Sequence, residues 1–166
     1  MSSAVSRMQF LRGAFAGGKA PPRPPWAVEE AAFVDACTRC NECLDRCPTG
    51  ILVAGSGGFP VVDFSRGQCT FCETCTSCCA PGVLSRAART RGEEPWSQRA
   101  HFTKACLSRS GVVCRSCADR CGTRAIRFRP QVGGAFLPRL EPALCNGCGA
   151  CVAPCPAGAV EIRMPH

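Results

Sequence analysis

A chain of 166 residues with 17 cysteines, 17 glycines, 14 prolines, no tyrosine and 7% aromatic residues cannot draw most of its stability from an ordinary apolar core. Its formal charge of +8 invites a nucleic-acid or acidic-surface partner. No basic helix with interleaved stacking aromatics accompanies that charge, however, so nucleic acid is excluded as the expected target. No window approaches the ~18 consecutive apolar residues of a membrane-spanning helix.

The chain opens on an arm, residues 1–30, whose stretch SRMQFLRG (Ser6 to Gly13) is one residue short of a twin-arginine export signal, with Met8 in place of the second arginine. Arg12 interrupts the apolar segment that follows, Lys19 ends it, and PPRPPW stiffens the chain directly after. The expectation is a protein kept in the cytoplasm. Phe10, Leu11 and Phe15 give the arm two readings, an amphipathic tether and a disordered tail.

Four cysteine runs come next. Cys37, Cys40, Cys43 and Cys47 are spaced C-x2-C-x2-C-x3-C and followed by Pro48. Cys69, Cys72, Cys75 and Cys79 repeat the spacing, with Cys78 as an extra thiol and Ala80 where the proline would stand. The third run is irregular: Cys114, Cys117 and Cys121 keep the gaps, but seven residues instead of two separate Cys106 from Cys114. Cys145, Cys148, Cys151 and Cys155 restore the pattern, with Pro156 after the last. Cysteine in this abundance means disulfides in an oxidising compartment or metal in a reducing one. Disulfides among such closely spaced thiols would be strained or non-unique. Zinc ribbons need two C-x2-C pairs across a long gap. Three cysteines at x2 spacing, with a fourth reaching a second cluster, are instead the ligand pattern of 4Fe-4S cubanes. Three or four such clusters per chain are expected. The third run leaves three readings open, a cluster, zinc or an empty site, and Cys78 two, a spare thiol or a ligand in place of Cys79.

Between the first two runs, Ile51 to Val53 and Pro60 to Phe64 read as strands around a glycine turn at Gly55 to Gly58. No helix start follows that turn, so it is not a phosphate loop. Between the last two runs, Ala125 to Phe128 and Phe136 to Leu140 flank a turn at Gly133 and Gly134. The stretch from Cys79 to Cys106 is rich in Arg and Ala and reads as a linker. The fold class is therefore α+β: a small iron–sulfur protein of tandem bacterial two-cluster ferredoxin-like units, with short β-hairpins and cluster-wrapping loops and helices, over residues 31–84 and 106–166, joined by 85–105. Crossed ligation places Cys37, Cys40 and Cys43 with Cys79, and Cys69, Cys72 and Cys75 with Cys47. It places Cys145, Cys148 and Cys151 with Cys121, and Cys106, Cys114 and Cys117 with Cys155. A nested pairing of first run with fourth fits the hairpins less well.

An oxidised cubane with four thiolates carries about −2, so four sites offset the formal +8, with Arg39, Arg46, Arg115 and Arg120 inside the runs as counter-charges. His101 and His166 stand alone, and no nucleophile, base and acid set is visible. No catalytic residue is assigned, and the chain reads as an electron-transfer protein, not an enzyme.

Several features beyond the cysteines carry a resemblance: SRMQFLRG, RPPW at Arg23 to Trp26, CTRCNEC at Cys37, GGFPVVDF before the second run, the irregular third run followed by AIRFRP, and CNGCGACVAPCP. With these the chain resembles the NapF family of ferredoxin-type proteins of the periplasmic nitrate reductase (Nap) system, over nearly its full length. The resemblance implies a cytoplasmic iron–sulfur accessory protein. Its implied partner is the molybdenum-containing catalytic subunit of the reductase (a NapA-type precursor), bound before export and assisted in maturation or cofactor assembly. A plain multi-cluster electron carrier needs the same ligands.

Overall fold

A computed structural model describes residues 21–85, 87, 90–131, 134 and 136–164. The amino-terminal reading, with Phe10, Leu11 and Phe15, falls outside the described residues, as do Gly133 and His166.

The proline-rich entrance is a fixed strut. Pro22 accepts a hydrogen bond from the Val62 N–H at 2.8 Å, and the Trp96 indole donates to the Arg23 carbonyl at 3.0 Å. The Arg23 guanidinium forks onto both Glu30 oxygens, donates to the Pro60 carbonyl at 3.1 Å, and lies 4.7 Å from the Phe33 ring centroid. Helix α1, Glu30–Ala36, starts where the Glu29 carboxylate accepts the Ala31 N–H, keeps acidic Glu30 in its first turn, and buries Phe33 completely. It ends at Cys37, whose extended backbone turns the chain into the first cysteine run.

Each half then follows one plan. In the first, the single-turn helix α2 (Glu42–Asp45) leads to strands β1 (Leu52–Ala54) and β2 (Pro60–Val62), paired antiparallel with Leu52 opposite Val62. The hairpin is shorter than the sequence suggests. Ile51 is buried just ahead of the paired strand and accepts the Asp63 N–H at 2.7 Å, while the Asp63 carboxylate accepts the Ser65 N–H and hydroxyl at 3.0 and 2.6 Å. The turn helix α3 (Thr74–Ser77) follows. In the second half, α4 (Ser116–Asp119) precedes β4 (Ile126–Pro130) and β5 (Phe136–Leu140), with Ile126 opposite Leu140.

A pairing across each half closes the plan. Ala27, ahead of the first run, bridges antiparallel to Leu84, after the second. Strand β3 (Arg99–Phe102), ahead of the third run, pairs antiparallel with β6 (Val160–Arg163), after the fourth. The stretch that reads as a linker thus contains a strand, with Ala100 buried and His101 exposed. Its partner lies beyond the last cysteine run, so no local hairpin signal marks it.

Two cores result, and they are unequal. The first gathers Phe33, Phe59, Phe64 and Trp96 with Ile51 and Leu84. Trp96 meets Phe64 and Phe71 edge-on, with centroids 5.9 and 5.8 Å apart, a contact set whose removal by Trp96→Ala costs about 3–5 kcal/mol. The second consists of Ala100, Cys117, Ile126, Cys151 and Val160, two of which are cysteines. Val152 and Ile162 pack against both.

Candidate metal centres

The local backbone explains how three thiols come to face one point. In the first, second and fourth runs, the residues two and four places after the first cysteine are left-handed: Arg39 and Asn41 (φ 57 and 64), Phe71 and Glu73 (φ 55 and 64), Gly147 and Gly149 (φ 73 and 79). Each reversal curls the chain around the thiols and turns amides inward, as the Phe71 N–H onto Cys69 Sγ at 3.4 Å shows. Outside glycine this conformation costs about 1–2 kcal/mol per residue. The third run curls by another route, through a 3-10 turn at Leu107–Ser110 ending in Gly111 at φ 79. There the buried Ser108 hydroxyl donates to the Cys114 carbonyl at 3.1 Å and fixes the thiol that follows the insertion.

The last cysteine of every run sits in one repeated turn. The residue three places on donates its N–H back to the cysteine carbonyl: Gly50 to Cys47 at 3.0 Å, Gly82 to Cys79 at 3.1 Å, Arg124 to Cys121 at 3.0 Å, and Gly158 to Cys155 at 3.1 Å. Its left-handed φ sends the next N–H toward sulfur. Ala125 reaches Cys121 Sγ at 3.3 Å, Ala159 reaches Cys155 Sγ at 3.2 Å, and Ile51 donates to Cys47. Such donors stabilise thiolate and cluster charge. On Cys47 they outweigh the effect of burial and, with the Thr49 hydroxyl, hold the thiol below its ordinary range.

The structure brings the predicted cysteines together in four sets. Site 1 is a small cavity lined by Cys37, Cys40, Cys43 and Cys79, with Cys78 on its wall. Site 2 is the neighbourhood of Cys69, Cys72, Cys75 and Cys47, where Cys148 also lies near Cys69 and Cys43 near Cys75. Site 3, a small cavity, is lined by Cys106, Cys114, Cys117 and Cys155. Site 4 is lined by Cys121, Cys145, Cys148 and Cys151. At sites 1, 3 and 4 three cysteines of one run share a cavity with the last cysteine of the neighbouring run, and the irregular third run lines one of these cavities. Cys78 donates weakly to the Cys75 carbonyl at 3.5 Å.

Burial, followed by the surrounding thiols, pushes Cys43, Cys75 and Cys151 up to about 12. Burial likewise raises Cys69 and Cys117 to about 11. Uncompensated thiolates would repel one another here, so these cavities suit a cationic occupant. Among the described residues, no three His, Cys, Asp or Glu side chains converge closely enough for a single metal ion. A lone zinc needs its sulfurs at about 2.3 Å. Four thiols spread around a cavity fit a multi-iron cluster, whose ligands stand further apart.

The arginines inside the runs have work besides balancing charge. Arg39 lies 5.2 Å from the Phe59 ring centroid and Arg115 lies 5.7 Å from that of Phe128. Arg46 pairs with Glu42 at 2.9 Å while its charge favours the Cys78 thiolate. Sequence reasoning missed the left-handed positions; the glycines at Gly147, Gly149, Gly50, Gly82 and Gly158 are the signal that could have shown them.

Among the described residues, no helix is long and apolar enough to cross a membrane. A family profile for a 4Fe-4S dicluster domain matches residues 112–159. The ferredoxin-type protein NapF of Escherichia coli K12 is 38% identical over 162 residues, covering 98% of this chain and 96% of that protein. NapF of Haemophilus influenzae Rd is 42% identical over 169 residues, covering 96% of this chain and 94% of its own length. The ferredoxin-type protein NapG of Escherichia coli K12 is 29% identical over 150 residues, covering 80% of this chain and 65% of that protein. No solved structure matches the chain significantly. Identity at this level over almost the whole length, on a frame of four thiol sets, means that the chain belongs to the NapF family of ferredoxin-type proteins.

Proposed function

We propose that the chain is a carrier of single electrons built as two tandem two-cluster ferredoxin units, residues 31–84 and 106–166, with four 4Fe-4S clusters held by sites 1 to 4. The observation that carries this reading is the gathering of four cysteines at each site, two runs exchanging their last thiols within each half. Site 3 is counted with the others because Cys155, which lines it, sits in the turn shared by the last cysteine of every run, and Cys106, Cys114 and Cys117 line the same cavity. The joining stretch and the end of the arm serve the units through β3 and through Trp26 and Ala27. Iron and acid-labile sulfide on protein purified without oxygen test it: about sixteen iron per chain fits four cubanes, and about twelve would remove site 3.

The family resemblance extends the reading. In it the protein works in the cytoplasm, binds the molybdenum-containing catalytic subunit of periplasmic nitrate reductase before export, and assists its maturation by supplying electrons for cofactor assembly. The names of the NapF and NapG relatives support an association with components of the Nap system. Capture of unexported catalytic subunit from soluble extract is the expected result. Transient redox partners alone would leave the plain carrier.

A further inference from the structure

The halves meet through their ligand loops. The N–H of Cys69, first thiol of the second run, donates to the carbonyl of Cys148 in the fourth run at 2.9 Å. Two contacts flank this bond. The Gln98 side chain, 3% exposed, donates to the Gly147 carbonyl at 3.3 Å, and the Phe64 ring packs against Gly149. Cys148 is accordingly a neighbour of Cys69, so site 2 faces site 4 across the junction. Within the halves, Cys43 of site 1 is a neighbour of Cys75 of site 2, and Cys117 of site 3 is a neighbour of Cys151 of site 4.

We infer that the four sites form one row in the order 1, 2, 4, 3, crossing between halves at the hydrogen bond from Cys69 to Cys148, with sites 1 and 3 at its ends. This inference rests on the cluster reading above. It makes the irregular third run the outer end of the row, although it is third along the chain. With clusters held by these cysteines, which would supply one-electron chemistry, the loops bearing Cys69 and Cys148 would join the two halves of the row. Closely packed glycines in CNGCGAC let the two loops approach. A β-carbon on Gly147 would stand 2.7 Å from the Gln98 carbonyl oxygen.

Spin coupling between reduced sites tests the order on the full chain, with dithionite as reductant. Cys40→Ala with Cys114→Ala leaves sites 2 and 4 whole. Cys40→Ala with Cys145→Ala leaves sites 2 and 3. The first protein is expected to show broadened, fast-relaxing electron paramagnetic resonance signals, and the second two independent signals, each holding about eight iron. Coupling in the second protein and none in the first would overturn the order while leaving the clusters in place. Wild-type chain without iron would overturn the cluster reading and the order with it. Gly149→Ala gives a check with every ligand kept: weakened coupling between sites 2 and 4 at unchanged iron content supports the junction, and an unaltered spectrum counts against it.

Discussion

The ring of Phe64 fills the space that a β-carbon on Gly149 would occupy, so a side chain from one half of the molecule closes over a ligand loop of the other. Gly149 also holds φ at 79°, a conformation open to it for lack of that carbon. Gly149→Ala is therefore expected to lose about 2–4 kcal/mol, combining overpacking with the left-handed penalty. Combined with Phe64→Ala, which costs stability by itself but removes the clash, the total loss should fall short of the sum of the two. A double-mutant cycle by denaturant titration measures this, and strictly additive effects would show that the two residues do not meet.

Two adjacent thiols border site 1, and their backbones separate them. Cys79 accepts the Gly82 N–H in the turn shared by the last cysteine of every run, whereas Cys78 ends helix α3 and leans on the Cys75 carbonyl. Cys79→Ala is expected to lose about four iron per chain and Cys78→Ala none. Iron analysis with a visible spectrum decides between them; equal losses from both would make Cys78 a ligand.

Much of this arrangement is legible in the sequence, because ligand spacing is a local property. The C-x2-C-x2-C-x3-C runs and the hairpins between them follow from neighbouring residues, and the expected crossed sets rest on the ligand-crossing rule of two-cluster ferredoxins. What escapes is non-local or chemically disguised. Strand β3 has its partner beyond the fourth run, and Cys69 meets Cys148 across the molecule. Arg39, Asn41, Phe71, Glu73 and Arg124 occupy left-handed positions with no glycine to announce them. Composition argues against an apolar core, yet the few aromatics concentrate around Phe33, Phe64 and Trp96 in the first half. Among the described residues the second half has fewer, with Phe102 and Phe128 only partly buried against its core.

The buried thiols set a pH dependence in the iron-free chain. Cys43, Cys75 and Cys151 stand at about 12 and Cys69 and Cys117 at about 11 in the folded state, raised by burial first and by neighbouring thiols second. In the unfolded chain a thiol titrates near 8.5. The unfolded state thus loses its protons first as pH rises, and folded stability, fully present below about pH 8, declines from about pH 9 towards 11–12. Urea midpoints of reduced, iron-free protein should be level from pH 6 to 8 and fall above 9. A level profile to pH 11 would mean that these thiols are exposed. With metal bound the thiols are already deprotonated, so the decline should disappear over the same interval.

The turn after the last cysteine of each run offers a stabilising change. Gly50, Gly82 and Gly158 carry it in three runs, at φ 63, 71 and 56, and a β-carbon on any of them would meet nothing within 4 Å. Side chains are thus sterically admissible there, and only the backbone conformation is costly. Arg124, at φ 55, bears that cost in the third run. Arg124→Gly should stabilise the second half by about 0.5–1 kcal/mol once the greater chain entropy of glycine is subtracted. This corresponds to a rise of a few degrees in Tm. Gly82→Ala should move the first half the other way by a similar amount. Thermal unfolding of the two variants checks both signs, and a lowered Tm for Arg124→Gly would mean that the arginine side chain contributes more than its backbone costs.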